Sequence, residues 1–449
     1  MNAPQTIERV VDFVDPSHNI LLNMSYEEAH ARVLSGDAER VGEIDGQFCI
    51  VAREGKKVRL ARSIGRPLRY FLAKRAAGPC LIIAERIDQI VAALKAEGLA
   101  NQFHPSYTRM VPAHHILELE LVGCPDPNPQ LKRFFDPQRE CLPANIETIG
   151  QQYIGALAEE CSRWLDAIDE QQPIGVLFSG GIDSGSLVLV LYHLLLQRGQ
   201  SPARLKAFTL SVDTDGSGKL STDAQQALAF LKPLQLEMLL EVIEVPAAAV
   251  DWRKAIGVVE DYKPLDIQAA TMGLALCQEI RNRYPEWTWL VDGDGGDENL
   301  KDYPIEENPE LTIRSVLNNQ MLYQEGWGVS AIKHSLVFSG GQSRGHVRTF
   351  APANVCGFQG FSPYALPKVI QVAEGIPFIE LTDWQHEKLY RLKGEVVSSG
   401  VRTLTGIDMP VFEKQRFQKG AGSIEFFDRA FPKEEAAYRS EFLKQFAAV

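Results

Sequence analysis

The chain has 449 residues, too many for one ordinary core, so two domains are expected. Hydrophobic residues make up 45% and charged residues 23%, a globular composition that excludes a largely disordered chain. The formal charge of −12 argues against a general nucleic-acid binder, which would carry a basic face.

Ser25-Tyr-Glu-Glu28 fits a capping box, and the stretch after it suits a short helix. Between 44 and 123 short β-type runs follow one another: "QFCIVA" at 47–52, "KVRLA" at 57–61, "CLIIA" at 80–84 and "HILELELV" at 115–122. Gly55 and Gly78 mark turns, and the region reads as antiparallel and strand-rich. Residues 124–145 hold Pro125, Pro127, Pro129, Pro137 and Pro143, a linker composition. Asn145 then caps a helix whose apolar positions Ile146, Ile149, Tyr153, Leu157, Cys161 and Leu165 recur three to four apart.

Beyond it, buried-strand runs alternate with helical ones. "IGVLF" at 174–178 precedes the helical "SLVLVLYHLLL"; "LKAFTLSV" at 205–212 precedes a helix near 222–232. "LEMLLEVIEV" holds a candidate third strand, "TMGLALCQEIR" is helical, and "WTWLVDGDGGDE" is a fourth strand ending in a glycine-acid turn. Such alternation implies a parallel sheet with helices on both faces. The last 120 residues read as mostly helical.

The seven cysteines are dispersed, none in a C-x-x-C pair, which fits a reducing cytosol better than a disulfide framework or zinc site. No apolar run approaches the ~20 residues of a membrane span. The first nine residues lack the regions of a signal peptide. A cytoplasmic enzyme with no membrane or nucleic-acid partner is expected.

The chemistry concentrates at two turns, "SGGIDS" at 179–184 and "DGDGGDE" at 292–298. Both sit at carboxyl ends of expected parallel strands, where ligands gather. Gly180 and Gly181 let backbone N–H groups approach a phosphate, with Ser179 and Ser184 as further donors. Asp183 would repel a bare phosphate, so its useful role is to hold Mg2+, with Asp297 on the same ion. One such turn alone is more often a tight turn with solvated acids; two at strand ends shift the balance. The Walker pattern is absent. "SGGQS" at 339–343 lacks the strand-then-helix context and reads as a loop.

"SGGIDS" resembles the pyrophosphate loop of ATP pyrophosphatases. "IDGQFCIVA", "LARSIGRPLRYF" and "LIIAERIDQIVAAL" resemble, in order, the amidotransferase domain of asparagine synthetases. "AFTLSV", "VEDYKPLDIQAA", "DGDGGDENLKDY", "CGFQGFSPY", "GIPF" and "EKQRFQKGAG" resemble segments of their synthetase domain, a plan shared with β-lactam synthetases. The resemblance covers about residues 40–425. It implies a fold of α/β plus α+β type. A degenerate, strand-rich, Ntn-hydrolase-like domain would span residues 1–135. A doubly wound parallel-sheet ATP-pyrophosphatase domain with many helices would span 145–449.

The resemblance also implies roles. Leu177, Phe178 and Leu210 would surround adenine; Ser179, Gly180, Gly181 and Ser184 would grip pyrophosphate; Gly293 would lie under the adenylate. Asp183 and Asp297 would bind Mg2+. Lys414 aligns with the family's catalytic lysine, although taken alone it would read as a surface lysine; Lys419, in the same loop, is the fallback.

Several positions depart from the family. Residue 2 is Asn2, not the nucleophilic cysteine of glutamine amidotransferases, and Cys49 sits in a strand pattern that suits a core thiol. Glutamine hydrolysis is not expected. Asp294 stands where asparagine synthetases carry Glu; it would serve as the base for an attacking amine, its carboxylate roughly 1.5 Å further back. Lys301-Asp302, Phe361 and Phe412 replace two glycines and two arginines, departures expected to cluster at the acceptor site. The expected activity is AMP-forming ligation of a small carboxylate to an amine or ammonia in specialised metabolism, using ATP and Mg2+, with a homodimer as the candidate assembly. The alternatives are an ammonia-dependent asparagine synthetase and a non-catalytic nucleotide-binding homologue.

Overall fold

A computed structural model describes residues 8–121, 128–213, 220–302, 346–412 and 420–446. Its N-terminal part contains two four-stranded sheets. One has the order β1 (Arg9–Asp12), β7 (Gly78–Ala84), β6 (Arg69–Arg75), β8 (Arg109–Met110). The other runs β10 (Gln130–Arg133), β9 (His115–Glu120), β5 (Lys57–Arg62), β4 (Cys49–Glu54). A two-stranded pair joins β2 (Ile20–Leu21) to β3 (Gly46–Gln47). Inward residues of the two large sheets, including Cys49, Leu60 and Leu117 with Tyr70, Leu81 and Ile83, share one apolar core. Helix α1 (Tyr26–Ser35) starts at the capping box expected at Ser25 and Glu28.

Two expectations need correction here. The pairing is antiparallel except at β1, which runs parallel to β7. The proline-rich stretch is not wholly a linker: Gln130–Arg133 pairs antiparallel with β9, because the short run between Pro129 and Pro137 keeps its N–H groups free for a ladder.

Asn145 caps α2 (Ile146–Ala167), accepting from Thr148 N at 2.8 Å. A five-stranded sheet follows, every pairing parallel, in the order β13 (Leu240–Pro246), β12 (Leu205–Asp213), β11 (Ile174–Leu177), β14 (Trp289–Val291), β15 (Gln359–Phe361). The sequence did not reveal β15; its three residues, with Gly360 at the centre, give no strand pattern. Alternate residues face opposite sides. Ile174, Val176 and Val291 meet α2, α3 (Ile182–Gln197) and α8 (Leu389–Thr405). Phe208, Leu210 and Leu290 meet α5 (Trp252–Val259) and α6 (Pro264–Arg283).

The chain adds β12 and β13 on one side of β11, then returns to add β14 and β15 on the other. The order reverses between β11 and β14, so a crevice opens beyond their carboxyl ends. Both glycine-acid turns leave the sheet there.

Candidate active site

The first turn is built by backbone geometry. Phe178 N donates to Phe208 O at 2.8 Å, extending the ladder one residue past β11. Gly180 then adopts φ 73°, and a β-carbon there would come within 2.8 Å of Ala227 N, so only glycine fits. Gly181 caps α3 without a side-chain bond, leaving the first N–H groups of that helix to its surroundings. Ser179 and Ser184 hold each other, with their hydroxyl oxygens 3.2 Å apart. Asp183 stands in the first turn of α3. The Phe178 ring is core, edge-on to Phe230 at 5.5 Å, and Leu210 is fully buried; Leu177 is only partly covered. Any nucleotide contact from Phe178 or Leu210 therefore comes from backbone.

The second turn interlocks with the first. A β-carbon on Gly296 would lie 2.3 Å from Asp183 Oδ1, so glycine is what lets the two acidic turns touch. Gly293 packs on the backbone of Asp183 and Ser184. Helix α7 (Gly296–Asn299) carries Asp297 and Glu298.

Asp292 and Asp294 share one hydroxyl. Thr349 Oγ1 lies 2.8 Å from Asp292 Oδ2 and 2.6 Å from Asp294 Oδ2. A hydroxyl has one proton, so Thr349 donates to one carboxyl and accepts from the other. Asp292 also receives Asp294 N at 3.0 Å and Ser362 Oγ at 2.9 Å, which makes it the better-solvated anion. Asp294 then holds the proton. Burial, reinforced by the charge of Asp292, pushes Asp294 well above the usual carboxylate range, whereas burial raises Asp292 only to about 6 against three hydrogen bonds.

Sequence reasoning missed Lys393. It is 2% exposed, and its Nζ lies 2.6 Å from Asp183 Oδ2, in contact with Asp297 Oδ1 and 3.6 Å from Asp302 Oδ2. Three carboxylates thus converge on one ammonium. Burial pushes Asp183 up to about 7, with Lys393 opposing and Asp297 reinforcing that shift. The clue was available: Leu389, Leu392, Lys393, Val396, Val397 and Gly400 form the buried stripe of α8, and a lysine inside an apolar stripe needs a buried partner.

The departures do not all gather at one place. Phe361 is fully buried and stacks on Trp164 at 4.8 Å, and its carbonyl accepts Asp292 N at 3.1 Å, so it is packing. Lys301 pairs with Glu374 in a buried ion pair. Phe412 packs at the edge of the main core. Only Asp294 and Asp302 reach the crevice. Lys414 and Lys419 lie outside the described residues, as do Asn2 and the loop at 339–343. Cys49 is fully buried, 3.4 Å from Arg66 Nη2, and burial pushes its thiol up to about 12.

Residues 166–340 match the family model described as Asparagine synthase. This central segment is an asparagine synthase-family domain. It spans β11 through β14 and both turns, whereas Thr349 and Lys393 follow it in sequence and are brought back by the fold. No curated protein matches the chain. The family's ATP-dependent, amide-forming ligase chemistry is consistent with the crevice. Among the described residues no helix is long and apolar enough to cross a membrane.

Magnesium is the ion such a site would use. No group of three or more His, Cys, Asp or Glu is arranged to hold a metal among the described residues. Asp183 and Asp297 do converge, since both meet Lys393 Nζ. Two carboxylates fit an ion whose remaining ligands are water and substrate phosphates.

Proposed function

We propose that the chain is an AMP-forming synthetase that adenylates a small carboxylate and joins it to an amine or ammonia, without glutamine hydrolysis. The observation that carries this reading is the meeting of Asp183 and Asp297 on Lys393 at the switch point of a parallel sheet. In this reading residues 145–449 are the synthetase unit and residues 1–135 a former amidotransferase unit.

In the first step a substrate carboxylate oxygen bonds to the α-phosphorus of ATP, and pyrophosphate leaves with the electrons of the broken P–O bond. The N–H groups opening α3 and the hydroxyls of Ser179 and Ser184 orient the phosphates. Lys393 supplies positive charge where the leaving group gains negative charge. Asp183 and Asp297 would hold a magnesium ion, which supplies charge neutralisation on the phosphates. In the second step the nitrogen forms a bond to the acyl carbon, and AMP leaves with the C–O electrons. Asp294, once ionised, takes a proton from the nitrogen.

The test is to supply ATP, magnesium and a panel of carboxylates with ammonium or amines, and to measure AMP and pyrophosphate. Pyrophosphate released only with a carboxylate, and abolished by Asp183→Ala, supports the proposal. Release of ADP and phosphate, or an undiminished Asp183→Ala, overturns it. The family match favours a second reading, ammonia-dependent asparagine synthesis, which aspartate plus ammonium tests directly.

A further inference from the structure

The short helix α7 assigns three consecutive side chains to three directions. Asp297 goes to Lys393. Asn299 is fixed by Tyr153 Oη at 3.2 Å and Tyr364 O at 2.8 Å. Between them, Glu298 is 2% exposed, and neither of its carboxylate oxygens has a hydrogen-bond partner. A buried carboxylate without partners is costly, so its presence calls for an explanation.

The charges that Glu298 acts on show its neighbourhood. Arg348 lies within electrostatic reach of Glu298, Asp294, Asp297 and Asp266, with Glu298 exerting the largest effect of the four. Asp294 also feels Glu298. The acids that act on Lys393 are Asp183, Asp297 and Asp302 instead. Glu298 therefore acts on Arg348 and Asp294 and is absent from the acids that act on Lys393, while Asp297 acts on both cations. Among the described residues, the guanidinium of Arg348 feels four carboxyls, those of Glu298, Asp294, Asp297 and Asp266.

The chemistry of the missing partner follows. It must carry positive charge and offer N–H donors to two carboxylate oxygens. A phosphate or carboxylate would be repelled. A protonated amine satisfies both demands.

We propose that Glu298 is the seat of the protonated nitrogen of the acceptor, an alkylammonium or the ammonium ion, beside Asp294. This inference rests on the synthetase reading for its purpose, though binding itself needs no turnover. In this arrangement Lys393, paired with Asp297, handles anions, and the next residue of the turn, Glu298, handles the cation.

The experiment uses the full chain and measures the unfolding midpoint against ammonium, methylammonium and butylammonium chloride, with tetramethylammonium chloride as the matched control without N–H donors. The wild type is expected to be stabilised by at least one N–H cation and not by the control. Glu298→Gln should bind that cation at least about tenfold more weakly, while Glu298→Asp, which keeps the charge, retains part of the effect. An effect confined to ammonium marks free ammonium as the source, and one growing with alkyl length marks a substrate amine. Equal stabilisation of the wild type and Glu298→Gln, or none by any N–H cation, overturns the inference. Loss of amine binding in Glu298→Gln in a protein that never releases pyrophosphate leaves the site standing and removes the synthetase reading. Pyrophosphate release with unchanged amine binding does the reverse.

Discussion

The ammonium of Lys393 lies 2.6 Å from Asp183 Oδ2, joining a helix near the C-terminus to the first turn after β11. This ion pair is buried and does more than fill space. Removing the lysine takes away the ammonium on which Asp183, Asp297 and Asp302 converge. Lys393→Met should therefore destabilise the fold by about 3–5 kcal/mol in metal-free buffer, as for other broken buried pairs. Magnesium should recover more stability in the variant than in the wild type, because the ion restores the lost charge. Denaturant unfolding with and without magnesium measures both effects. An unchanged midpoint would show that the three acids are not held by this lysine.

The parts of the site that were legible in the sequence are those fixed by local backbone chemistry. The "SGGIDS" and "DGDGGDE" turns announce themselves because glycines and acids follow apolar strands, and the strand–helix alternation places them at one end of a sheet. Thr349, Ser362 and Arg348 were not legible, since each reaches the crevice only through tertiary packing; the apolar stripe of α8 marks Lys393 as buried but does not name its partners. The three-residue β15 was invisible for the same reason: its pairing with β14 makes it a strand, not its composition. Phe361 misled in the opposite direction. It breaks a family pattern, yet its ring is a packing element against Trp164.

Asp294 should act late in the reaction. Asp294→Asn removes a proton acceptor without touching Asp183, Asp297 or Lys393. Pyrophosphate release should persist, while amide formation falls by roughly 10²–10⁴-fold. Because burial holds Asp294 protonated, the wild-type rate of the second step should rise with pH as that proton leaves, and Asp294→Asn should flatten the rise. Separate assays for pyrophosphate and amide product distinguish the steps. Loss of both together would place Asp294 in adenylation instead.

Asp223 gives a pH dependence that needs no ligand. It lies in the first turn of the helix at Thr222–Leu231, 2% exposed, with Oδ2 lacking a hydrogen-bond partner. Burial alone raises it from 3.8 to about 8. The folded chain therefore holds a proton that the unfolded chain releases between these values. Stability should be flat below pH 3.8 from this group and fall as pH rises towards 8, at up to about 1.4 kcal/mol per pH unit. Asp223→Asn should remove that part of the slope, so the variant gains most over the wild type at pH 8 and least near pH 4. Unfolding titrations across this range measure it, and parallel curves would show that Asp223 ionises freely.

Glu260 ties the N-terminal sheets to the approach to helix α6. It sits at φ 55° at the end of α5, 1% exposed, and takes Ile87 N at 2.7 Å and Arg69 Nη2 at 3.2 Å. Arg86 adds bonds to Val258 O at 3.0 Å and Gly257 O at 2.8 Å. A non-glycine residue in the left-handed region is tolerated here because the carboxylate it aims is fully used. Arg69→Ala should cost about 3–5 kcal/mol, since it leaves buried Glu260 with Ile87 N and the longer 3.5 Å contact to Arg86 Nη2. The double variant Arg69→Ala/Glu260→Gln should be less destabilised than the sum of the single changes, because it no longer buries an under-compensated charge. Denaturant unfolding of the three variants forms the cycle. Strict additivity would show that Arg69 and Glu260 stabilise their own sides independently, and that the N-terminal sheets do not brace the loop leading to Asp261 and Asp266.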